Sequence, residues 1–440
     1  MPQANRYALA GVALACGLGA ACSSPQTTAQ PGALSYLDDA SYRRAELVAS
    51  LVNPTNDYSV LRLAHYATGD RNDWDLLPEW NPPAEPIAAS ELDAAGGAST
   101  TVLSNRAVPL VLPDAVVSAS DPALLALGEA AFARYPVQLA PYLGVALTSR
   151  GAAGHYGLWV DGARGVGGLV RARMADGSAA VSLTCSTCHA APAAGGALSA
   201  GLPNHDLDLG AAMLDAPTGV ADPTTADAIA AWGPGRLDVT TSAGTEPVRI
   251  PDLRPVRWLT YLQQDATVRA RDLATLAIRL ETLIVTSNDQ ALRPPRIVTL
   301  ALAAYLTSLA DALPSPETAA SVSPEGARVF DAQCAGCHAP PALTGEPVAL
   351  ATIGTDPKLG LSAVRGTGAY RVPSLHGVGS RGPLLHDGTV PSLDAMFDPA
   401  RITPSFEGKL HGTGAVPGHT FGLDLSAEDR EALVEYLRAL

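Results

Sequence analysis

Two copies of one short cysteine pattern constrain this chain more than any other feature of its sequence. The pattern is Cys-x-x-Cys-His, and it occurs at residues 185–189 and again at residues 334–338. The chain has six cysteines, and the two outside these copies, Cys16 and Cys22, lie in an N-terminal apolar segment. Every cysteine beyond that segment therefore belongs to a pattern that ends in histidine.

The spacing within each copy suits covalent attachment of haem. Two thiols on one helical turn can both bond the haem vinyl groups, and the histidine that follows then reaches the iron. A four-cysteine zinc site needs its two pairs ~15–20 residues apart, whereas these pairs lie 149 residues apart. Thioredoxin-like motifs would not require the histidine. The sequence therefore predicts two covalently bound haem c groups, with these attachment cysteines and proximal iron ligands: Cys185, Cys188 and His189 for the first haem, and Cys334, Cys337 and His338 for the second.

The N-terminal segment predicts export. Arg6 precedes an apolar run over residues 7–21, which is too short to span a bilayer and is typical of a signal peptide. Cys22 follows Gly-Ala-Ala and precedes two serines, as at a bacterial lipoprotein cleavage site. We expect removal of residues 1–21 and a lipid anchor on Cys22, which places the protein in the periplasm or at the outer membrane. An ordinary signal peptide that is cut nearby and leaves a soluble protein is the alternative.

The charge balance narrows the classes of partner. Lys and Arg number 29 against 43 Asp and Glu, a formal net charge of −14 at pH 7. This argues against a nucleic-acid partner, because basic side chains supply most of the affinity for phosphate backbones. The acidic surface suits a cationic electron donor such as a small basic cytochrome. Contact with a membrane is expected only through the lipid anchor.

The residues around the two haem motifs also repeat. Asp-Pro at residues 121–122 and Ser-Pro at residues 323–324 are typical of helix starts. Each is followed by Gly-x-x-x-Phe, at residues 128–132 and 326–330. The sequence Ala-Leu-x-x-Tyr-Leu-x-x-Leu occurs at residues 301–309 and again at 432–440, with its apolar residues at helical spacing. We interpret this as two copies of one cytochrome c module, each running from an opening helix to a closing helix.

The repeats predict the domain organisation of a mainly α-helical protein. A Pro- and Ser-rich stretch at residues 313–323 is expected to link the two modules. The predicted regions are a signal peptide at 1–21, an N-terminal extension at 22–119, a first module at 120–315 and a second module at 316–440.

The first module holds an insertion before its haem motif. Phe132 and Cys185 are 53 positions apart, whereas Phe330 and Cys334 are 4 apart. Within the insertion, residues 169–174 and 178–183 flank the sequence Ala-Asp-Gly. Two short runs around such a turn predict an inserted β-hairpin.

Two segments of the second module resemble a known family. Gly-Ala-Tyr-Arg-Val-Pro-Ser-Leu at residues 368–375 and Arg-Gly-Pro-Leu-Leu-His-Asp-Gly at residues 381–388 are similar to the C-terminal haem domain of bacterial dihaem cytochrome c peroxidases. The wider group includes the methylamine-utilisation dihaem enzyme and the dihaem rubber-cleaving oxygenases. The resemblance extends over about 122–440. It implies that electrons enter at the second haem and pass to the first, where hydrogen peroxide is reduced.

The resemblance also implies a second axial ligand for the C-terminal haem. His419, in Gly-His-Thr-Phe-Gly, is favoured because it resembles a segment of relatives whose second haem has two histidine ligands. Met396 and His411 are the alternatives, and Met396 could instead be a buried side chain of a short helix. His386 is expected to shape the haem edge rather than bind iron.

For the N-terminal haem the resemblance points to His205 and Trp232. His205 lies 16 residues after His189, a distance similar to that of the switchable sixth-ligand histidine in the peroxidases. It is expected to act as distal ligand or catalytic pocket residue, and a loop histidine bonded to backbone is the alternative. Trp232 matches the tryptophan held between the two haems as an electron bridge, unless it is a core residue.

The remaining predicted site residues concern protons, propionates and calcium. Gln263 and Asp272 are candidates for a catalytic hydrogen-bond donor and an acid–base carboxylate, and a solvated helix face is the alternative for Asp272. A calcium ion between the modules, as in the peroxidases, would lie near residues 371–373, although no acidic cage is evident there. Arginine forks match carboxylates, and the candidates to pair with haem propionates are Arg236, Arg371 and Arg381.

The sequence thus predicts an exported dihaem c-type oxidoreductase that reduces hydrogen peroxide. Dioxygen-dependent oxidation of an organic substrate and plain electron transfer are the alternatives. The two enzymatic functions need a first haem with a face that opens, whereas an electron carrier keeps both irons six-coordinate.

Overall fold

The computed structural model describes residues 32–238 and 244–440. The predicted signal peptide at 1–21 and the predicted lipid anchor Cys22 lie outside the described residues, and both stay predictions. Helices dominate the described residues and the strands are short. This confirms the expected mainly α fold.

The helices and strands fall into three groups along the chain. The N-terminal extension contains α1 (Gly32–Asp38), α2 (Ala40–Ser50), α3 (Asp57–His65) and β1 (Ala84–Pro86). The first module contains α4 (Pro122–Arg134), β2 (Gln138–Leu139), α5 (Arg150–His155), β3 (Val160–Asp161), β4 (Gly165–Val166), β5 (Val170–Arg173), β6 (Ala179–Leu183), α6 (Cys185–His189), β7 (Ala190–Pro192), β8 (Leu198–Ala200), α7 (Leu209–Asp215), α8 (Pro223–Ala230), β9 (Arg236–Leu237), β10 (Val248–Arg249), β11 (Tyr261–Leu262), β12 (Val268–Arg269), α9 (Leu273–Ser287) and α10 (Arg296–Ser308). The C-terminal part contains α11 (Pro316–Val322), α12 (Pro324–Gln333), β13 (Val348–Ala349), α13 (Leu350–Ile353), β14 (Ala369–Tyr370), α14 (Leu393–Met396) and α15 (Ala427–Ala439). Short 3-10 helices lie at Trp74–Leu76, Ala89–Asp93, Pro141–Leu147, Arg254–Trp258, Leu309–Ala312, Val378–Ser380 and Pro399–Ile402.

The opening and closing helices of each module cross at a glycine. Helix α4 packs on α10, and α12 packs on α15. A Cβ placed on Gly128 would lie 2.1 Å from the carbonyl oxygen of Ala301, and one on Gly326 would lie 2.0 Å from that of Ala432. Both positions need glycine because the partner backbone occupies the space where a side chain would begin.

An aromatic pair follows each glycine crossing. The rings of Phe132 and Tyr305 have centroids 5.6 Å apart, and those of Phe330 and Tyr436 have centroids 5.2 Å apart. The repeated Gly-x-x-x-Phe and Tyr-containing sequences thus make the same helix–helix contact twice. The repeated sequence therefore corresponds to a repeated helix–helix contact.

The inserted β-hairpin is confirmed and belongs to a larger sheet. Strand β5 pairs with β6 in antiparallel register, with Val170 against Ser182. The sheet order is β1-β5-β6-β2, so the N-terminal extension supplies one edge strand. Gly177 in the hairpin turn has φ of +85°, a conformation that glycine adopts without strain.

The predicted linker at residues 313–323 contains a helix in its central part. Residues 316–322 form α11, which packs on α12 and α15. Ser315 caps this helix, and Pro316 occupies its first turn, where a missing N–H costs nothing. Ser323 stands at the N-cap position of α12, but its hydroxyl donates to the carbonyl of Ala432 instead of capping the helix.

One apolar stretch has the length and composition of a membrane-spanning helix. Residues Arg296–Val322 are long and apolar enough to cross a bilayer by length and composition, but half of the most apolar window is buried in the fold. The stretch contains α10, whose residues Val298–Ala304 are buried against the first module's core. We therefore interpret it as a core helix.

The N-terminal extension connects the two modules. Tyr36 of α1 is fully buried and donates to Glu281 of α9 at 2.9 Å. Just before α3, the Asn53 amide donates to the carbonyl of Gly366 at 2.8 Å, and the Tyr58 N–H donates to that of Val364 at 2.8 Å. A segment whose role the sequence did not reveal thus holds the first module and the 363–366 loop of the second together.

Candidate functional site

A largely apolar cavity lies in the C-terminal part of the chain. Its volume is about 320 Å³, within the range of cofactor pockets. Cys334, Cys337 and His338 form part of its wall. Other lining residues include Val348, Ile353, Val372, Leu375, Val378, Leu384, Leu393, Phe397 and Leu437. The predicted attachment residues of the second haem therefore border one apolar space.

The local structure orients His338. Its backbone N–H donates to the carbonyl of Cys334 at 2.9 Å, and its ring Nδ1 lies 3.2 Å from the carbonyl oxygen of Leu343. A carbonyl accepts, so Nδ1 carries the proton and Nε2 is left as the donor to a metal. Burial, followed by the nearby His419 ring, lowers the pKa of His338 to about 4, which keeps the imidazole neutral.

His419 and Met396 both line this cavity, so the structure brings both candidate ligands to it. Burial lowers the pKa of His419 to about 4, and Met396 is 6% exposed. His411, the third candidate, is not a lining residue and lies beside Gly233 of the first module. The choice of His419 over Met396 stays a prediction.

The polar part of the cavity wall contains three arginines and an amide. Arg371 and Arg381 line it as predicted, and Arg249 and Gln264 join them. Burial lowers the pKa of each of the three arginines to about 10, and a neighbouring arginine lowers it further in every case. One nitrogen on each of the four side chains is buried without a partner. Such a set calls for an anion, and haem propionates would satisfy it.

Apolar walls, attachment cysteines, a neutral histidine and unpartnered arginines together fit a haem c group. Arg249 and Gln264 were missed by the sequence reasoning. An arginine between Val248 and Ile250 was the available signal, because a charge in so apolar a run usually has a buried partner.

The other two predicted haem-environment residues differ in position. His386 lines the cavity, and its ring stacks on Tyr370 with centroids 4.2 Å apart. Arg236 is not among the lining residues, and its guanidinium donates to the carbonyls of Trp232 and Ala231 at 2.5 Å each. Arg236 therefore supports the Trp232 loop, and its predicted pairing with a propionate has no support from its contacts.

The N-terminal haem motif is half-buried between two parts of the core. Cys185 packs against the cluster around α4 and α10, and Cys188 packs against the cluster around Leu143 and Trp232. Burial raises the pKa of both thiols to about 12. The Nδ1 of His189 lies 3.0 Å from the carbonyl oxygen of Pro251, so this histidine, like His338, presents Nε2 as the free donor.

His205 follows a segment that is bonded to the first haem motif. The N–H of Asn204 donates to the carbonyl of Cys188 at 2.8 Å. The Nδ1 of His205 is buried without a partner. Burial, followed by the positive charge of Arg249, lowers the pKa of His205 to about 4. A neutral, unpartnered imidazole beside the motif is compatible with the predicted distal role, which stays a prediction.

The predicted bridge Trp232 and a second tryptophan, Trp258, differ in their surroundings. Trp232 is a core residue 4% exposed, and its indole N–H donates to the carbonyl of Gly244 at 2.8 Å. Trp258 instead crosses between modules, and its ring stacks on His376 with centroids 3.8 Å apart. The sequence reasoning singled out Trp232 alone, because nothing in the motif distinguishes a tryptophan that crosses a module boundary.

The predicted proton-handling residues have other contacts. Asp272 caps α9 through the N–H of Thr275 and accepts from the Tyr42 hydroxyl at 3.2 Å. With its amide oxygen turned toward Arg279, Gln263 accepts from that guanidinium at 3.0 Å. Neither residue lines the cavity. Gln264, the next residue, does.

A buried carboxylate lies near the first haem motif. Asp252 is 5% exposed and is paired with Arg254 at 2.6 Å. Its charge raises the pKa of both His189 and His205 against the larger, opposing effect of burial. The sequence reasoning passed over Asp252 because an Asp between prolines and arginines is usually a loop residue.

The structure gives no support for the predicted calcium site near residues 371–373. Within residues 32–238 and 244–440, no group of three or more His, Cys, Asp or Glu side chains is placed to hold a metal ion.

The four motif cysteines form no disulfide, and the cavity has the lining that a porphyrin requires. Residues 323–440 match the family model described as cytochrome c. This part of the chain is a cytochrome c domain. Its family implies covalently bound haem c, and this makes the protein a haem c redox protein.

Other comparisons add little. The search of curated proteins finds no match. Among solved structures, the chain is similar to one described as a MauG-like protein associated with microbial copper homeostasis. The likeness covers 48% of this chain and 78% of that one, at 16% sequence identity and a TM-score of 0.34.

Proposed function

We propose that this protein is an exported dihaem c-type oxidoreductase that reduces hydrogen peroxide. Electrons enter at the haem site of Cys334 and Cys337 and pass to the site of Cys185 and Cys188. The observation that carries the proposal is that His338 and His419 line the same cavity, which suits an electron-transfer centre with two protein ligands.

The bound haems would supply the redox chemistry at iron. The chain supplies the rest. His189 and His338 each direct one ring nitrogen into a haem site, because a backbone carbonyl takes the other. Arg249, Arg371 and Arg381 offer positive charge to propionates from a largely apolar wall.

Reduction of hydrogen peroxide to two waters consumes two electrons and two protons. His205 is neutral at pH 7, since burial lowers its pKa to about 4, so its ring can accept a proton. Asp252 lies in the same electrostatic neighbourhood. Both Asp252 oxygens accept from Arg254, so this carboxylate acts on His205 through its charge, whereas the oxygens of Asp272 serve a helix N-terminus.

Arg249 connects the two sites. Its N–H donates to the carbonyl of His386 at 3.1 Å, and its Nε donates to that of Leu385 at 2.7 Å. Arg249 therefore contacts the cavity of the second module while its charge acts on His205 of the first. A bonded connection of this kind favours electron transfer between modules over two independent carriers.

The cellular setting belongs to the same proposal. Export through residues 1–21, with a lipid on Cys22, would place the protein in the periplasm or at the outer membrane. The net charge of −14 supports docking of a cationic electron donor such as a small basic cytochrome.

Carbon monoxide binding to the reduced full-length holoprotein tests the function. We expect two haems per chain and a carbon monoxide adduct at one of them, together with turnover of hydrogen peroxide that His205→Ala lowers by about a hundredfold, the low end for loss of an acid–base residue. His155→Ala, at an exposed histidine of α5, is the matched control and should leave turnover unchanged.

The other outcomes point to other functions. Absence of any adduct would identify a plain electron carrier and overturn the enzyme proposal. A stable dioxygen adduct without peroxide turnover would favour oxidation of an organic substrate.

A further inference from the structure

Arg401 is a fully buried arginine of the C-terminal domain, with 0% of its surface exposed. It forms no ion pair with any described carboxylate. Burying a guanidinium in this way is costly unless its donors are all used. Burial lowers the pKa of Arg401, as expected for a charge without a counter-ion.

The N–H groups of Arg401 donate hydrogen bonds to backbone carbonyls. Its Nε donates to Met396 at 2.8 Å, and its Nη1 donates to Val416 at 2.8 Å and to Gly418 at 2.9 Å. Its Nη2 donates to the carbonyl of His419 at 2.6 Å. One side chain thus holds the end of α14 and the loop that carries His419, and it contacts the backbone of both candidate iron ligands.

The His419 loop is fixed from its other side as well. The N–H of His419 donates to the carbonyl of Ile353 at 2.6 Å. A Cβ on Gly418 would lie 2.2 Å from the backbone of Gly354 and Thr355. His419 itself has φ of +43°, a left-handed conformation that costs free energy in a residue with a side chain. Such a conformation persists only when its surroundings enforce it.

We propose that Arg401 is a positioning residue that holds His419, and not Met396, as the axial ligand facing His338. The inference rests on the proposed function, since it assumes that His419 binds the second haem. Arg401 ties the carbonyl of His419 to the 396–401 segment, and so it sets how far the imidazole reaches into the cavity. Met396 is anchored by the same guanidinium, but only through its backbone at the end of α14.

The geometry requires an arginine. Four carbonyls are reached from three nitrogens of one planar group. Lysine carries the same charge as a single point and cannot span α14 and the 416–419 loop together. Arg401→Lys therefore removes the hydrogen bonds that join α14 to the 416–419 loop and keeps the positive charge. The variant thus distinguishes an effect of position from an effect of charge.

The experiment compares three variants of the full-length holoprotein: Arg401→Lys, His419→Ala and Met396→Leu. The readouts are the electron paramagnetic resonance spectrum of the oxidised protein and carbon monoxide binding to the C-terminal haem after reduction. We expect Arg401→Lys to lose the bis-histidine low-spin signal and to admit carbon monoxide at that haem, as His419→Ala does. Met396→Leu should leave both readouts unchanged.

Arg430→Lys is the matched control, because Arg430 of α15 also donates to a backbone carbonyl, that of Leu425, at 3.1 Å. It should keep the parent spectrum. If His419→Ala changes the spectrum and Arg401→Lys does not, Arg401 has no positioning role and the inference is overturned. If His419→Ala leaves the spectrum unchanged, the ligand assignment within the proposed function fails instead. Should Arg401→Lys lose haem altogether, Arg401→Gln, which keeps a planar donor, must restore part of the signal or the inference falls.

Discussion

The two haem modules share a helix crossing and differ in what surrounds the haem motif. In both, a glycine lets the opening helix touch the backbone of the closing helix, at Gly128 and Gly326. In the second module α12 leads directly into Cys334. In the first, three strands of the four-stranded sheet, β2, β5 and β6, lie between α4 and Cys185 in the chain. The crossing fixes where the motif lies, and the inserted segments give each module its own haem environment.

The C-terminal motif borders a cavity with three arginines in its wall, whereas the N-terminal motif packs between two apolar clusters and has the carboxylate of Asp252 nearby. Arg249, Arg371 and Arg381 line the cavity of the second site. Cys185 and Cys188 of the first lie between two core clusters. The same short motif thus lies in two different surroundings, because the rest of the chain sets the neighbouring side chains and charges at each copy.

The largest expected effect would test whether both motifs hold haem. We expect Cys185→Ala combined with Cys188→Ala, and likewise Cys334→Ala combined with Cys337→Ala, to lower covalently bound haem from two groups to one per chain, because each pair removes both attachment thiols of one motif. Haem-stained gels and the haem-to-protein ratio measure this. A variant that keeps two haems would break the symmetry between the modules.

Alanine at the two glycines should destabilise the protein by a similar amount in either module. The added Cβ would meet a carbonyl at about 2 Å in each case, and overpacking of this kind costs about 3 kcal/mol or more. Thermal unfolding of Gly128→Ala and Gly326→Ala measures the loss. Gly154→Ala, where a Cβ meets nothing within 4 Å, is the control. A tolerated Gly326→Ala would show that the second crossing is looser than the first.

The basic wall should set the redox properties of the C-terminal haem alone. Arg371→Gln removes a positive charge from the cavity wall and therefore favours the oxidised, more positive haem. We expect its midpoint potential to fall by about 60 mV, a tenfold change for one electron, in a spectroelectrochemical titration. Arg236→Gln, at a residue bonded to the Trp232 loop, should change neither potential. A fall in the midpoint potential of the N-terminal haem instead would contradict the assignment of Arg371 to the C-terminal site.

A smaller effect should come from His376, which stacks on Trp258 across the module boundary. Burial lowers the pKa of His376 below its usual value near 6.5. The unfolded chain therefore binds a proton that the folded one refuses, so stability is full above about pH 6.5 and falls as the pH drops below it. His376→Asn should lose less stability between pH 7 and pH 5 than the parent protein, as measured by urea unfolding. An equal loss would place the pH dependence elsewhere.

Most features that were correctly predicted from the sequence depend on short local patterns. The haem motifs, the helices around Gly128 and Gly326 and the β5–β6 hairpin each depend on residues close together in the chain. The α11 helix was missed because its Pro- and Ser-rich start also suits a linker. Signals of this length report on local structure and not on what packs against it.

The residues of the cavity wall could not be predicted in full, because some of them reach it through contacts between distant parts of the chain. Arg249 reaches residues 385–386 across more than a hundred positions, and Gln264 contacts Arg371. Asp272 and Gln263 were chosen for plausible chemistry, yet their side chains serve a helix cap and Arg279. Residue type suggested a role in these cases, and only the tertiary contacts identify which neighbour each side chain meets.

The contacts of the N-terminal extension have a consequence for the order of assembly. Asn53 and Tyr58 bond to residues 366 and 364, and Tyr36 bonds to Glu281. These partners are synthesised hundreds of residues later, so the part of the protein made first must wait for nearly the whole chain before it can dock. Both Cys-x-x-Cys-His segments are therefore synthesised before the N-terminal extension can form these contacts.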